Sequence, residues 1–205
     1  MSALNLPPLP PVGGEVTGRN VVDVLAEQHR DLVRLTEIPD GPDRGRHAQA
    51  LVAELSRHLS AEEQYLYPAV RKVVPDGDLL ADRELAEDHD LLLTLQRLDR
   101  AKPDDPDFDR AAAAVREAVE RHVRADAEEL LPLLLQMAPV EDLIRIGNRV
   151  ETAEEAAPTR PHPGTPSRPP WNKVVDPVVA VVDKARDAVT RRTTYAKDLG
   201  SHRNG

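Results

Sequence analysis

Two polar phrases occur twice in this chain, each time inside a stretch of helical apolar periodicity. That duplication constrains the fold more than any other feature. Leu25-Ala26-Glu27-Gln28-His29 is matched by Leu85-Ala86-Glu87-Asp88-His89, sixty residues on. His58, Glu62 and Pro68 stand at offsets 0, 4 and 10, and His122, Asp126 and Pro132 repeat those offsets sixty-four residues later. The chain therefore reads as a doubled helical hairpin, each half offering one His and then a His-x-x-x-carboxylate pair.

Four long helical segments carry these phrases, over about residues 20–37, 44–74, 79–100 and 108–137, and a short fifth covers 141–150. Leu51, Leu55, Leu59 and Leu66 mark the apolar side of the second, and Val115, Val119, Val123 and Leu130 that of the fourth. Pro39-Asp40-Gly41-Pro42, Pro75-Asp76-Gly77 and Pro103 with Pro106 separate them. Aromatic residues are only Tyr65, Tyr67, Phe108, Trp171 and Tyr195, so the core is aliphatic, a palette that suits helices over sheets. The expected fold is all-α: an up-down-up-down four-helix bundle with a short fifth helix. A proline-rich linker and a C-terminal amphipathic helix follow. Residues 1–19 are expected as an extended arm, 20–150 as the bundle, 151–172 as the linker and 173–205 as the basic helix and tail.

The duplicated polar residues fall in the apolar register. Positions i and i+4 of a helix share a face, about 5–6 Å apart at Cβ, so His58 reaches the same point as Glu62, and His122 the same as Asp126. His29 lies within a turn of Leu25 and Leu32, and His89 has Leu85 and Leu93 one turn either side. All four imidazoles are expected to point inward. Such a set is costly to bury unless something pairs with it, and a lone inward His is usually no more than a core residue. The duplication favours a metal centre over a metal-free hydrogen-bond network, with His29, His58, Glu62, His89, His122 and Asp126 as ligands. Two half-sites suggest two ions. His47 reads as part of a helix start, and His162 and His202 as solvated tail residues. Glu54 is a candidate second-layer partner that a solvated reading explains more simply; Glu63 and Glu129 read as surface charges or first-turn neighbours of the site, not as ligands.

The chain has no cysteine, which excludes disulfides, thiolate metal sites and iron–sulfur clusters. Nitrogen and oxygen donors suit iron, manganese or zinc, and six are too many for one tetrahedral zinc. From Pro158 onward nine Lys and Arg stand against four Asp, while the preceding body is strongly acidic. An acidic body with few aromatics argues against nucleic-acid binding. The first residues carry no basic-then-apolar pattern of a secretory signal, and no apolar run is long enough to span a membrane, so a cytoplasmic protein is expected.

His29 in Glu-x-His, His58-x-x-x-Glu62 followed by Tyr-Leu-Tyr-Pro, Glu87-x-His89, and His122-x-x-x-Asp126 followed by Leu-Leu-Pro resemble the hemerythrin-like, or HHE cation-binding, family over about residues 20–150. The resemblance implies a non-haem di-iron centre with Glu62 and Asp126 bridging and an oxo or hydroxo group between the ions; zinc and manganese are conceivable substitutes. Such iron can meet dioxygen, nitric oxide or peroxide. Oxygen carriers of the family place a second histidine one turn after the first on the third helix, where this chain has Leu93. Their last acid stands where this chain has Ala127, one residue past Asp126. Fewer histidines leave more open positions, which favours reaction or sensing over reversible storage.

The leading expectation is a protein that senses or handles these small molecules. Reversible oxygen binding or iron storage is the alternative, with weak peroxide breakdown as an enzymatic variant. Tyr65 and Tyr67 are the nearest proton donors, though core packing explains each. Val178, Val181, Val182, Ala185 and Val189 form one stripe of the tail helix, with Asp176 as N-cap and Pro177 at the first position. That helix is expected to dock on the bundle or on a second subunit, making a homodimer conceivable, ahead of an anionic membrane or a role as an interaction module.

Overall fold

The helices begin where local chemistry says they should. In a computed structural model, which describes residues 17–164, 171–190 and 192–199, α1 (Val21–Leu35) opens on Asn20, whose side chain accepts the Asp23 N–H at 3.0 Å. α2 (Arg44–Ala61) passes through a π-helical turn, Glu62–Leu66, into α3 (Tyr67–Val73). Asp76, in the left-handed region at φ 55°, turns the chain into α4 (Gly77–Arg100). α5 (Pro106–Ala125) starts on Asp105 as N-cap with Pro106 next. It passes through a second π-helical turn, Asp126–Leu130, into α6 (Leu131–Met137), and α7 (Val140–Ala156) follows. Among the described residues there is no strand, and no helix is long and apolar enough to cross a membrane.

The two π turns have one cause. Pro68 and Pro132 carry no N–H, and each ring would collide with the carbonyl four residues back. The helix widens just ahead of each proline, so that the Tyr67 N–H reaches the Glu62 carbonyl and the Leu131 N–H the Asp126 carbonyl. Single π turns inside α-helices gather at functional positions, and both of these begin at a duplicated carboxylate.

The apolar interior is in two parts. One cluster gathers Val21, Leu25, Leu66, Tyr67, Leu130 and Ile146; the other gathers Leu32, Leu55, Leu91, Leu95, Phe108 and Val119. α1 passes from Leu25 to Leu32 with His29 between, and α5 with the π turn after it passes from Val119 to Leu130 with His122 and Asp126 between. The polar residues thus form a layer separating the two apolar halves. α7 closes the bundle against α1 and α2. A Cβ at Gly147 would lie 2.4 Å from the Arg19 carbonyl oxygen and 3.0 Å from the Val21 nitrogen. Gly147→Ala should therefore push α7 off the start of α1 and cost about 1–3 kcal/mol, read as a fall of several degrees in Tm.

The C-terminal region departs from expectation. α7 runs to Ala156, because Glu151-Thr152-Ala153-Glu154-Glu155-Ala156 favours helix and the first proline stands at Pro158; the linker is shorter than 151–172. α8 (Trp171–Thr190) begins ahead of Asp176, so Pro177 lies inside the helix and not at its first position. The buried face of α8 is also not the expected valine stripe. Val181, Val182 and Val189 are 68%, 60% and 85% exposed, while Ala180, Asp183 and Asp187 are buried. Polar bonds hold that face. Arg160 Nη2 reaches Asp187 at 2.6 Å, Thr159 also donates to Asp187, and His162 Nε2 lies 2.9 Å from Asp183. His162 is accordingly half-buried and paired, not solvated. Residues 193–199 then cross α2, where Arg57 donates to the Thr194 carbonyl and Glu54 accepts the Ala196 N–H at 3.0 Å. Residues 1–16 of the expected arm, the side chain of Val178 and the tail residue His202 lie outside the described residues.

Candidate metal centre

Three imidazoles and two carboxylates meet in the polar layer, from α1, from α2 with its π turn and from α5 with its π turn. His29, His58 and His122 are 2–3% exposed, and Glu62 and Asp126 are fully buried. His29 Nε2 lies 3.1 Å from His58 Nε2, and His122 Nε2 lies 3.4 Å from the same atom. Glu62 Oε1 is 3.7 Å from His29 Nε2 and 3.3 Å from His58 Nε2, and its Oε2 is 3.4 Å from His122 Nε2. Asp126 Oδ2 closes the group at 3.5 Å from His29 Nε2 and 3.9 Å from His122 Nε2. Donor atoms of His29, His58, Glu62 and His122 all lie within 4.8 Å of one another, a spacing that can hold a metal ion.

His89 is not among them. Its side chain is exposed on the outside of α4, and the residue before it, Asp88, is buried instead. The inward stripe of α4 runs through Leu80, Ala81, Glu84, Asp88, Leu91, Leu95 and Leu98. Leu85 and Leu93, which place His89 inward on sequence spacing, are only half-buried. At 3.6 residues per turn, His89 is rotated about 100° from that stripe. The repeated phrase aligns His29 with His89; the structure sets Asp88 in the place that corresponds to His29.

Asp88 is one of several residues around the cluster that sequence spacing did not single out. Tyr67 donates its hydroxyl to Asp88 Oδ2 at 2.6 Å, and Asp88 Oδ1 lies 3.1 Å from His122 Nδ1. Asp88 thereby favours the proton on Nδ1 and leaves Nε2 free to face inward. On the other side His58 Nδ1 lies 3.1 Å from Gln28 Oε1, and Gln28 Nε2 donates to Glu154 Oε2 at 2.9 Å. Only Tyr67 gave any sequence signal, as the tyrosine next to Pro68. Glu54 does not touch the imidazoles; it pairs with Arg57 at 2.7 Å. Glu129 pairs with Arg83, also at 2.7 Å, and His47 Nε2 meets the Leu35 carbonyl at 3.1 Å. Removing the Asp88 acceptor with Asp88→Asn should weaken metal binding by about 10–100-fold without emptying the site, measured by competition against a chelator of known affinity.

The electrostatics describe a site that needs a cation. Burial pushes the Glu62 carboxyl up to about 8; His122 offsets part of this, and Asp88 and Glu154 add smaller upward pressure. Burial and Glu62 push Asp126 well up. Burial and the His122 charge pull His29 down to about 4, and burial pulls His58 well down. Burial also lowers His122, but Glu62, Asp126 and Asp88 outweigh it and hold that imidazole well above its ordinary value. Both carboxylate oxygens of Glu62 and both of Asp126 are buried without a hydrogen-bond donor. Acceptors left bare in this way are expensive, and a cation ringed by nitrogen and oxygen donors relieves all of them together. The residues present fit a metal ion.

Beside His58 a pocket of about 150 Å³ is lined by Gln28, Asp31, Leu32, Leu35, Glu54, Glu154 and Ala196. Its lining includes both the exposed Asp31 and the buried His58. Burial, reinforced by Glu54, pushes Glu154 up to about 8, so this carboxyl carries a proton at neutral pH.

The model of the hemerythrin HHE cation-binding domain matches residues 20–134. An uncharacterised hemerythrin-like protein of Schizosaccharomyces pombe is 24% identical over 176 residues, covering 83% of this chain and 87% of the yeast protein. The crystal structure of a hemerythrin HHE cation-binding domain-containing protein from Mycobacterium kansasii is similar with a TM-score of 0.58 at 22% identity. That match covers 67% of this chain and 86% of the mycobacterial one.

Proposed function

We propose, from the premise that the chain belongs to the hemerythrin HHE cation-binding domain family, that its buried cluster holds non-haem iron and that the protein senses or handles dioxygen, nitric oxide or peroxide. The observation that carries this reading is the convergence of His29, His58, His122, Glu62 and Asp126 on one buried point with four carboxylate oxygens lacking donors. A sulfur-free donor set of this kind suits iron or manganese, and five donors exceed the four of a structural zinc site. The pocket at His58 is small, about 150 Å³, and admits molecules of a few atoms in preference to organic substrates or a stored mineral.

Bound iron would supply an open, redox-active position for such a ligand. The chain's own residues do the rest. Asp88 and Gln28 orient two of the imidazoles, and the two apolar clusters on either side keep bulk water from the centre. Glu154 holds a proton at the pocket wall. Full-length protein loaded with ferrous iron without oxygen should change its optical spectrum on adding nitric oxide, dioxygen or peroxide, while the zinc-loaded form should not. Iron that stays bound yet gives no response to any of the three would overturn the proposal.

A further inference from the structure

We infer that this centre is built for one metal ion and not for a pair. The inference deepens the reading of the cluster as a metal centre and rests on it. Around a single ion with bonds of about 2.1 Å, neighbouring donors stand about 3.0 Å apart and opposite ones about 4.2 Å. The close contacts here run from 3.1 Å between His29 and His58 Nε2 to 3.9 Å between His122 Nε2 and Asp126 Oδ2, and the donor atoms of His29, His58, Glu62 and His122 all lie within 4.8 Å of one another. Ions in dinuclear centres are about 3.5–4 Å apart, so parallel imidazoles on different ions stand at least about that far apart, and splayed ones farther. His58 and His122, the histidines of the two half-sites, are only 3.4 Å apart at Nε2.

A second ion would also need donors of its own, and the remaining buried acids are engaged. Asp88 accepts from Tyr67 at 2.6 Å and faces His122 Nδ1, Glu84 meets Arg83 at 2.8 Å, and Glu154 accepts from Gln28. The fourth histidine, His89, is on the outside. Charge points the same way: one divalent ion neutralises Glu62 and Asp126, and a neutral buried centre is the least costly kind.

The test is a manganese(II) titration of the metal-free full-length chain, with metal measured after gel filtration and electron paramagnetic resonance of the loaded form. One ion per chain, with the resolved hyperfine pattern of an isolated manganese, is expected. His89→Ala should keep that stoichiometry and change affinity by less than about twofold, and His29→Ala should weaken it at least ~100-fold. Two ions per chain, a spectrum broadened by exchange coupling, no bound ion, or loss of an ion on His89→Ala would each overturn the inference. Two ions with an intact response to nitric oxide or peroxide would sink the single-ion reading and leave the proposed function standing. One ion with no response from iron would do the reverse.

Discussion

Glu62→Gln is expected to lose metal affinity by at least ~100-fold and, in the same protein without metal, to raise thermal stability. Glu62 is the one carboxylate whose oxygens approach all three imidazoles, at 3.7, 3.3 and 3.4 Å. Replacing it with an amide keeps the volume and removes the negative ligand, so the loss should exceed the 10–100-fold usual for a supporting residue. The gain without metal follows from the same burial. Holding this group fully buried, with Asp88 and Glu154 nearby, has driven its carboxyl up to about 8. At pH 8 the amide avoids a cost of about 1–3 kcal/mol, worth roughly 2–10 °C in a chain of this size. Chelator competition measures the first effect and melts in excess chelator the second. An unchanged affinity would remove Glu62 from the ligand set, and an unchanged or lower melt at pH 8 would contradict the electrostatic account.

The second large effect is on pH. Glu62 and Glu154 titrate near 8 when folded, against about 4.5 as free groups, and Asp126 and His122 are also held above their ordinary values. Between about pH 6.5 and 8 the metal-free folded chain therefore binds more protons than the unfolded chain. Stability must fall as pH rises through that window. His29 and His58 are lowered and act in the opposite sense only below about pH 6.5. Each net proton is worth about 1.4 kcal/mol per pH unit, which is about 3–5 °C in Tm. Metal competes with those protons, so its affinity rises over the same window. At about a thousandfold excess over Kd it adds about 4 kcal/mol, or roughly 8–16 °C. Melts with and without metal at pH 6.5, 7.3 and 8 should diverge steadily. Parallel curves would mean that the cluster holds no shifted protons for a cation to displace.

Much of this was readable from residue spacing. Helices around Leu51-Leu55-Leu59 and Val115-Val119 follow from local periodicity. The inward placing of His58 with Glu62 and of His122 with Asp126 follows from i,i+4 geometry along one helix. The prolines at offset 10 were visible, though not that each forces a π turn starting at its carboxylate. His89 was misplaced because its neighbours Leu85 and Leu93 imitate an inward register that the longer stripe through Leu80, Asp88, Leu91 and Leu95 overrides. The valine stripe of α8 misled in the same way, since Asp183 and Asp187 find Arg160 and His162 and take the buried face.

The sequence by itself determined that this is a helical chain with a doubled set of nitrogen and oxygen donors, because helix periodicity and i,i+4 pairing are local. Tertiary structure decided which of the adjacent residues Asp88 and His89 enters the bundle, and that Tyr67, Gln28 and Glu154 stand around the donors. A shift of one residue turns a side chain by about 100°, and only the packing of a whole helix face against its neighbours sets that rotation. The 3–4 Å spacings that limit how many ions can be held belong to atoms on different helices, and no spacing along the chain contains them.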